Sequence, residues 1–206
     1  PDIVHVNDIY DILPAVAARL TGSKVVFHLR MIKEERLSKM LLSSFIRRVS
    51  HASISVSEAV RHHYFDKDEP SAHVIHDLGN SDLLHHASDA RLSRPGSVGQ
   101  DGRLVLMVGR LDPWKGQDLF VKAVELLPQS VRESNTFCLI GGRVPGKQDF
   151  AESVQRDAAA AGITVLGERN DIANLLRAAH ISVHSSVAPD PFPGVVIESM
   201  LAGCAV

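Results

Sequence analysis

Short apolar runs alternate along this chain with helix-length amphipathic segments, and that alternation is what most narrows the folds open to it. Runs rich in Val, Ile and Leu at 3–6, 24–28, 52–56, 72–75, 104–109, 136–140, 164–166 and 181–184 read as buried strands. Between them, 13–20, 34–49, 58–64, 117–127, 150–161, 172–178 and 194–202 carry apolar residues at helical spacing. Strand–helix–strand repetition favours an α/β chain whose parallel sheets are covered by helices. With 206 residues, 45% of them hydrophobic, there is material for one large core or two small ones.

One stretch breaks the alternation. Residues 85–102, HHASDARLSRPGSVGQDG, are polar, rich in Ser, Gly, Arg and Asp, and lack periodicity, as a linker does. The expected organisation is therefore two Rossmann-like parallel-sheet domains, 1–92 and 93–206. The chain begins without Met inside a strand pattern and stops at GCAV as another strand starts, so both domains are expected to be incomplete.

The balance of 22 Lys and Arg against 24 Asp and Glu leaves a net charge of −2, which gives no reason to expect nucleic acid as a partner. An anion site must then be local. Cys138 and Cys204 sit in apolar runs, with neither metal spacing nor a disulfide pattern, so the expected setting is the reducing cytoplasm. No apolar run has the length of a membrane span, and no signal peptide opens the chain.

Two segments carry the chemistry. The first, LVLMVGRLDPWKG, runs from a strand into Gly109 and Arg110, then through a turn stiffened by Pro113 to Lys115 and Gly116. Ligands of open parallel sheets bind beyond the carboxyl ends of the strands, which is where Arg110 falls. Its planar fork and the compact charge of Lys115 suit the oxygens of a diphosphate, and Gly116 lets a backbone approach closely. A surface turn with two solvated cations explains the same spacing. The second segment is APDPFPGVVIESMLAG, in which Asp190 and Glu198 stand eight residues apart across Pro191, Phe192, Pro193 and Gly194. Pro193 suits the first turn of a helix whose free N–H groups face a crevice, and two carboxylates near such donors suit vicinal hydroxyls. An ordinary Asp-Pro turn before a helix with a wet glutamate reads equally well.

Taken together, VGRLDPWKGQD and the later PDPFPGVVIESMLAG resemble the C-terminal nucleotide-sugar domain of retaining glycosyltransferases of the GT-B fold, glycosyltransferase family 4 (group 1). That resemblance implies that Arg110 and Lys115 bind the donor diphosphate, that Asp190 faces the transferred sugar, and that Glu198 faces the nucleotide ribose. Gly109, Phe192, Pro193, Gly194 and Val195 belong to the same donor-binding segments. Gly141 and Gly142, in LIGG, resemble the turn that admits the nucleotide. PDIVHVN, KVVFHLR and ISVSEAV resemble the acceptor-side domain, where His28 matches a histidine touching the donor sugar near the reacting carbon. Asp190 stands where Glu is usual, Asn7 where His is usual, and VIHDLGNSD departs from the family pattern, so residues 76–82 inherit nothing. The implied reaction is transfer from a nucleotide-diphosphate sugar to an acceptor hydroxyl, with retention and without a metal or other cofactor. A glycan or lipid-linked acceptor is compatible with it, and the chain by itself is expected to be inactive.

Two other readings fit parts of the sequence: a nucleotide-sugar epimerase of the same fold, and a non-catalytic dinucleotide-binding module. The second lacks a GxGxxG after any expected strand. Eleven histidines, among them His62, His63, His73, His76, His85 and His86, show no HExxH or Cys/His metal spacing. In IKEERLSKMLLSSFIRRVS, Leu37, Met40, Leu41, Phe45 and Val49 share a helical face, with Lys33, Arg36, Lys39, Arg47 and Arg48 elsewhere. An interfacial helix in peripheral membrane contact has this pattern; so does a domain helix that packs the stripe on its sheet.

Overall fold

The computed structural model describes residues 1–7, 9–79 and 102–206. The expected linker 85–102, apart from its last residue, and the expected domain boundary at 92/93 lie outside the described residues, as do His85 and His86. The chain packs as two units, Pro1–Asp77 with Pro189–Pro193, and Leu78–Ala188 with Gly194–Val206. Against the expected 93–206, the segment Pro189–Pro193 packs with the first unit rather than with its chain neighbours.

In the first unit, β1 (Ile3–Val6), β2 (Lys24–Leu29), β3 (Ala52–Ser55) and β4 (Ala72–Val74) form a parallel sheet in chain order. They are joined by α1 (Ile12–Leu20), α2 (Arg36–Val49) and α3 (Glu58–Tyr64). Alternation along β2 explains the core. Val25, Phe27 and Leu29 are fully buried and cluster with Ala15 and Ala18 of α1, Ile46 and Val49 of α2, and Val60 and Tyr64 of α3. Val26 and His28 take the opposite phase. Ser57 caps α3, its hydroxyl accepting from the Val60 amide at 3.3 Å.

The second unit has a parallel sheet in the order β7-β6-β5-β8: β5 (Leu104–Val108) and β6 (Thr136–Ile140) are central, with β7 (Thr164–Val165) and β8 (Ile181–Ser182) outside them. After β5 the chain steps outward through β6 and β7, then returns to the other side of β5, which creates a switch point at the carboxyl end of β5. Period-two alternation builds two cores here. Val105, Met107, Phe137 and Leu139 pack against α4 (Gln117–Glu125) and α6 (Gln148–Ala160), through Phe120, Val121, Val124, Ala151 and Val154. Leu104, Leu106, Cys138 and Ile140 pack against Leu175 and Leu176 of α7 (Ile172–Ala178), with Cys204 following α8 (Gly194–Leu201). A short helix absent from the sequence expectation, α5 (Gln129–Ser134), buries none of its residues, so it left no apolar stripe to read.

The amphipathic stripe on α2 divides. Phe45, Ile46, Val49 and Leu42 pack into the first core, whereas Leu37, Met40 and Leu41 remain exposed. The sheet therefore covers only the second half of the stripe.

Candidate functional site

In the second unit, the carboxyl ends of β5 and β6 lie side by side. The Gly109 amide donates to Ile140 O at 2.8 Å, and the Leu111 amide to Gly142 O at 2.9 Å. A Cβ on Gly141 would fall 1.9 Å from Gly109 O, so the two glycine turns touch through a contact no larger residue permits. The side-chain stem of Lys115 passes over Gly109, with its Cγ and Cδ 3.9 Å from the position a Cβ would take there. Gly109, Lys115, Gly141 and Gly142 thus form one cluster, and Arg110 is exposed at its mouth. The Lys115 ammonium lies 4.0 Å from the centre of the Trp114 ring.

Three residues outside the sequence expectation shape this cluster. The Gln117 side chain is fully buried, and its amide nitrogen lies 2.7 Å from Arg110 O and 3.3 Å from Gly109 O, fixing the backbone that carries Arg110. Ser185, just beyond β8, has its hydroxyl 2.9 Å from Gly116 O and 3.2 Å from Lys115 O. Glu168 brings a carboxylate beside Gly142, where an added Cβ would stand 3.0 Å from its Oε2. A buried glutamine directly after KG is the one local signal that the sequence offered; Ser185 and Glu168 reach the cluster through the sheet.

The turn Pro113–Lys115 is a single 3-10 turn closed by Gly116 at φ 72°. A Cβ at Gly116 would meet Ser185 O at 2.1 Å. The Val187 amide donates to Trp114 O at 2.8 Å. These bonds tie the WKG turn to the loop leading into the second motif, so segments far apart in sequence meet within the second unit.

Helix α8 begins at Gly194, so Pro193 precedes the helix instead of forming its first turn. A Cβ on Gly194 would meet nothing within 4 Å. The helix is tied to the sheet by the Ser199 hydroxyl, which donates to Ser182 Oγ at 2.7 Å inside the core. Val195 is half-buried in its first turn, and Glu198, its fifth residue, is half-buried too, with burial holding the carboxyl above its ordinary pKa of 4.5.

In the first unit, His28 stacks on His5 with ring centres 5.4 Å apart and planes at 17°. Its Nε2 is buried and has no partner among the described residues. Burial, then the charges of Arg30 and His5, hold its pKa below 6.5, so the imidazole is neutral at pH 7. Arg30 in turn pairs with Asp77. The segment Pro189–Pro193 is fixed here by the Ser57 hydroxyl, which donates to Pro191 O at 2.7 Å, and by Phe192, stacked on His76 at 4.9 Å and packed against the first core. Asp190 is half-buried in that segment. The residues expected from the sequence to form a site thus divide between the units: His28, Asp190, Phe192 and Pro193 in the first, Gly109, Arg110, Lys115, Gly141, Gly142, Gly194, Val195 and Glu198 in the second.

Among the described residues no three His, Cys, Asp or Glu side chains gather as a metal ion requires, and no helix is long and apolar enough to cross a membrane.

Known proteins share this architecture. D-inositol 3-phosphate glycosyltransferase of Streptomyces scabiei is 28% identical over 171 residues, which is 78% of this chain and 37% of the relative. The protein of the same name from Streptomyces coelicolor is 26% identical over 182 residues, 39% of its length. The chain thus spans under two fifths of the curated relatives it matches. Among solved structures, HepE of Anabaena, crystallised with UDP and glucose, superposes with a TM-score of 0.82 at 24% identity, covering 98% of this chain and 57% of that one. A glycosyltransferase from Rickettsia africae gives 0.73 at 20% identity, covering 98% of this chain and 56% of that one. These superpositions identify the two parallel-sheet units as the GT-B type of fold. The model of the glycosyl transferases group 1 family matches residues 90–206, more than half of the sequence, and the chain belongs to that family.

Proposed function

We propose that the protein transfers a sugar from a nucleotide-diphosphate sugar to an acceptor hydroxyl, as a family 4 enzyme, with retention of anomeric configuration and without a divalent ion. The observation that carries this reading is the cluster at the switch point of the second sheet. There Lys115 lies over Gly109, the Gly109 and Gly141 turns are in contact, and Gln117 fixes the backbone bearing Arg110. An anionic group resting there finds two cations and a backbone stripped of side chains.

When the bond between anomeric carbon and phosphate oxygen breaks, negative charge builds on the departing diphosphate and positive charge on the sugar ring. Arg110 and Lys115 stabilise the former, the part a metal would otherwise take. The acceptor oxygen bonds to the anomeric carbon, and its proton neutralises the leaving phosphate. Glu198 accepts hydrogen bonds from the ribose hydroxyls, Asp190 faces the sugar undergoing transfer, and neutral His28 contacts that sugar. Phe192, Pro193, Gly194 and Val195 shape the donor-binding segment. The structures of Anabaena HepE contain UDP or UDP-glucose, which supports a UDP-sugar as the donor to test first. The acceptor class we propose is a glycan or a lipid-linked molecule. The setting we propose is the cytoplasm, at the inner face of the membrane, supported by two buried free thiols; burial pushes Cys138 up to about 11, an inert state.

Calorimetric titration with UDP, GDP, ADP and their sugars tests the donor assignment. Saturable binding of one nucleotide diphosphate, lost in Lys115→Ala, is expected; binding of NAD in preference to all of them overturns it.

A further inference from the structure

The segment Pro189–Pro193 is held on the first unit by two ties that the donor chemistry above does not use. Its prolines alternate, Pro189, Pro191 and Pro193, so only Asp190 and Phe192 keep an amide proton. Successive amides, which hold a strand, are therefore missing, and each proline restricts the residue before it to extended backbone. Carbonyl oxygens and side chains are the handles that remain.

Both kinds of handle are taken. The Ser57 hydroxyl donates to Pro191 O at 2.7 Å while it accepts from the Val60 amide at 3.3 Å. Capping α3 requires only the accepting oxygen, so the proton given to Pro191 is additional to the cap. The second tie starts one residue earlier. Val56 O lies 2.9 Å from His76 Nδ1, and since a carbonyl only accepts, that nitrogen carries the proton. The imidazole so fixed stacks on the Phe192 ring, with planes at 9° and centres 4.9 Å apart. Neighbouring residues, Val56 and Ser57, thus hold neighbouring residues, Phe192 and Pro191, all within the first unit. One hydrogen bond would leave the segment free to turn about it, and the stacked ring removes that freedom.

What the two ties fix is the residue beside them. Asp190 directly precedes Pro191, and an aspartate carboxylate stands one methylene group from its backbone, so the place of the backbone decides the place of the carboxylate. A displacement of about 1 Å at a reacting centre can cost about a hundredfold in rate. Functional side chains are kept in place by neighbours that need not touch the ligand. Packing of Phe192 against the first core attaches the segment, but apolar contact is non-directional. The bond to Pro191 O and the parallel ring supply the direction.

We propose that Ser57 and His76 are positioning residues for Asp190, holding its backbone so that the carboxylate keeps one place. The inference rests on the reading in which Asp190 faces the transferred sugar. Calorimetric titration with UDP, GDP and ADP, and with UDP-glucose, GDP-mannose and ADP-glucose, tests it through the ratio of affinities for a nucleotide sugar and its diphosphate. Glycine is tolerated at a helix cap, so Ser57→Gly removes the donated proton and spares α3. Ser57→Gly and His76→Ala are each expected to lower the ratio by about two- to tenfold, the loss of one hydrogen bond or one ring pair, with the affinity for the diphosphate unchanged. Ser57→Thr, which keeps the hydroxyl, is expected to keep the ratio. In an Asp190→Ala background, Ser57→Gly is expected to lower it no further. An unchanged ratio, an equal fall for diphosphate and nucleotide sugar, or losses additive with Asp190→Ala overturns the proposal. If Asp190→Ala lowers the ratio while Ser57→Gly and His76→Ala keep it, the donor reading stands and the positioning role falls. If the protein binds none of these nucleotides, both fall.

Discussion

The hydroxyl of Ser185 lies 2.9 Å from the carbonyl oxygen of Gly116, and the carbonyl of Ser185 closes over the Gly116 Cα so tightly that a Cβ there would stand 2.1 Å away. One serine thus holds the lysine turn from two sides. Gly116→Ala meets both that carbonyl and a left-handed φ of 72°, and strain of this kind costs about 1–3 kcal/mol. The expected outcome is a lowered urea midpoint together with weaker nucleotide diphosphate binding. Ser185→Ala, which removes a single hydrogen bond, is expected to cost about 1 kcal/mol. An alanine at 116 that leaves the midpoint unchanged contradicts this packing.

Lys115→Ala separates a diphosphate clamp from a solvated surface charge. A charged hydrogen bond contributes roughly 1.5–3 kcal/mol, so donor affinity is expected to fall by about ten- to a hundredfold. Stability should move by less than about 0.5 kcal/mol, since the side chain is only half-buried. Unchanged affinity in the folded variant removes Lys115 from the site.

The contribution of Arg110 and Lys115 also bears on metal dependence. If they supply the charge on the leaving diphosphate, EDTA should leave donor binding and transfer unchanged. A many-fold loss restored by Mg²⁺ or Mn²⁺ refutes that assignment.

The strands and the paired motifs were legible because their signals are local. Val105 and Leu106 alternate between two cores as period two requires, and GRLDPWKG carries its glycines and cations within one turn. What escaped depends on packing across the sheet. Ser185 reaches Gly116 because the loop after β8 is brought alongside the WKG turn, and no spacing in the sequence announces it. Phe192 lies on His76 and the first core, although the stretches on either side of Pro189–Pro193 belong to the second unit. The α2 stripe left two readings open for a related reason: helical period groups Leu37 with Val49, while the extent of the underlying sheet decides which of them is covered.

His28 predicts an acid-sensitive fold. Burial and the nearby charges of Arg30 and His5 depress its native pKa below 6.5, so the native imidazole resists a proton that the unfolded chain accepts. With more protons bound in the unfolded state, stability falls as pH drops below about 6.5 and keeps falling to the lower native value. His28→Asn should flatten this dependence in urea midpoints measured between about pH 7 and pH 5. An unchanged slope disproves the assignment.

Glu198 sets function against stability, which makes it the sharper test of the second motif. Burial raises its native pKa above 4.5, so the folded state favours the protonated carboxyl. More protons are then bound in the native than in the unfolded state, and stability falls as pH rises from about 4.5 through the native value. Glu198→Gln keeps the shape and removes the ionisation, so it is expected to stabilise the fold at neutral pH and to have little effect under acid conditions. If the carboxylate accepts from ribose hydroxyls, the same substitution weakens donor binding by about tenfold or more, as expected for a hydrogen bond to a charged group. A residue held there for structure alone would lose stability and leave affinity untouched. Thermal unfolding across pH, paired with nucleotide titration of the same variant, distinguishes the two: a destabilised variant with wild-type affinity would exclude Glu198 from the donor site.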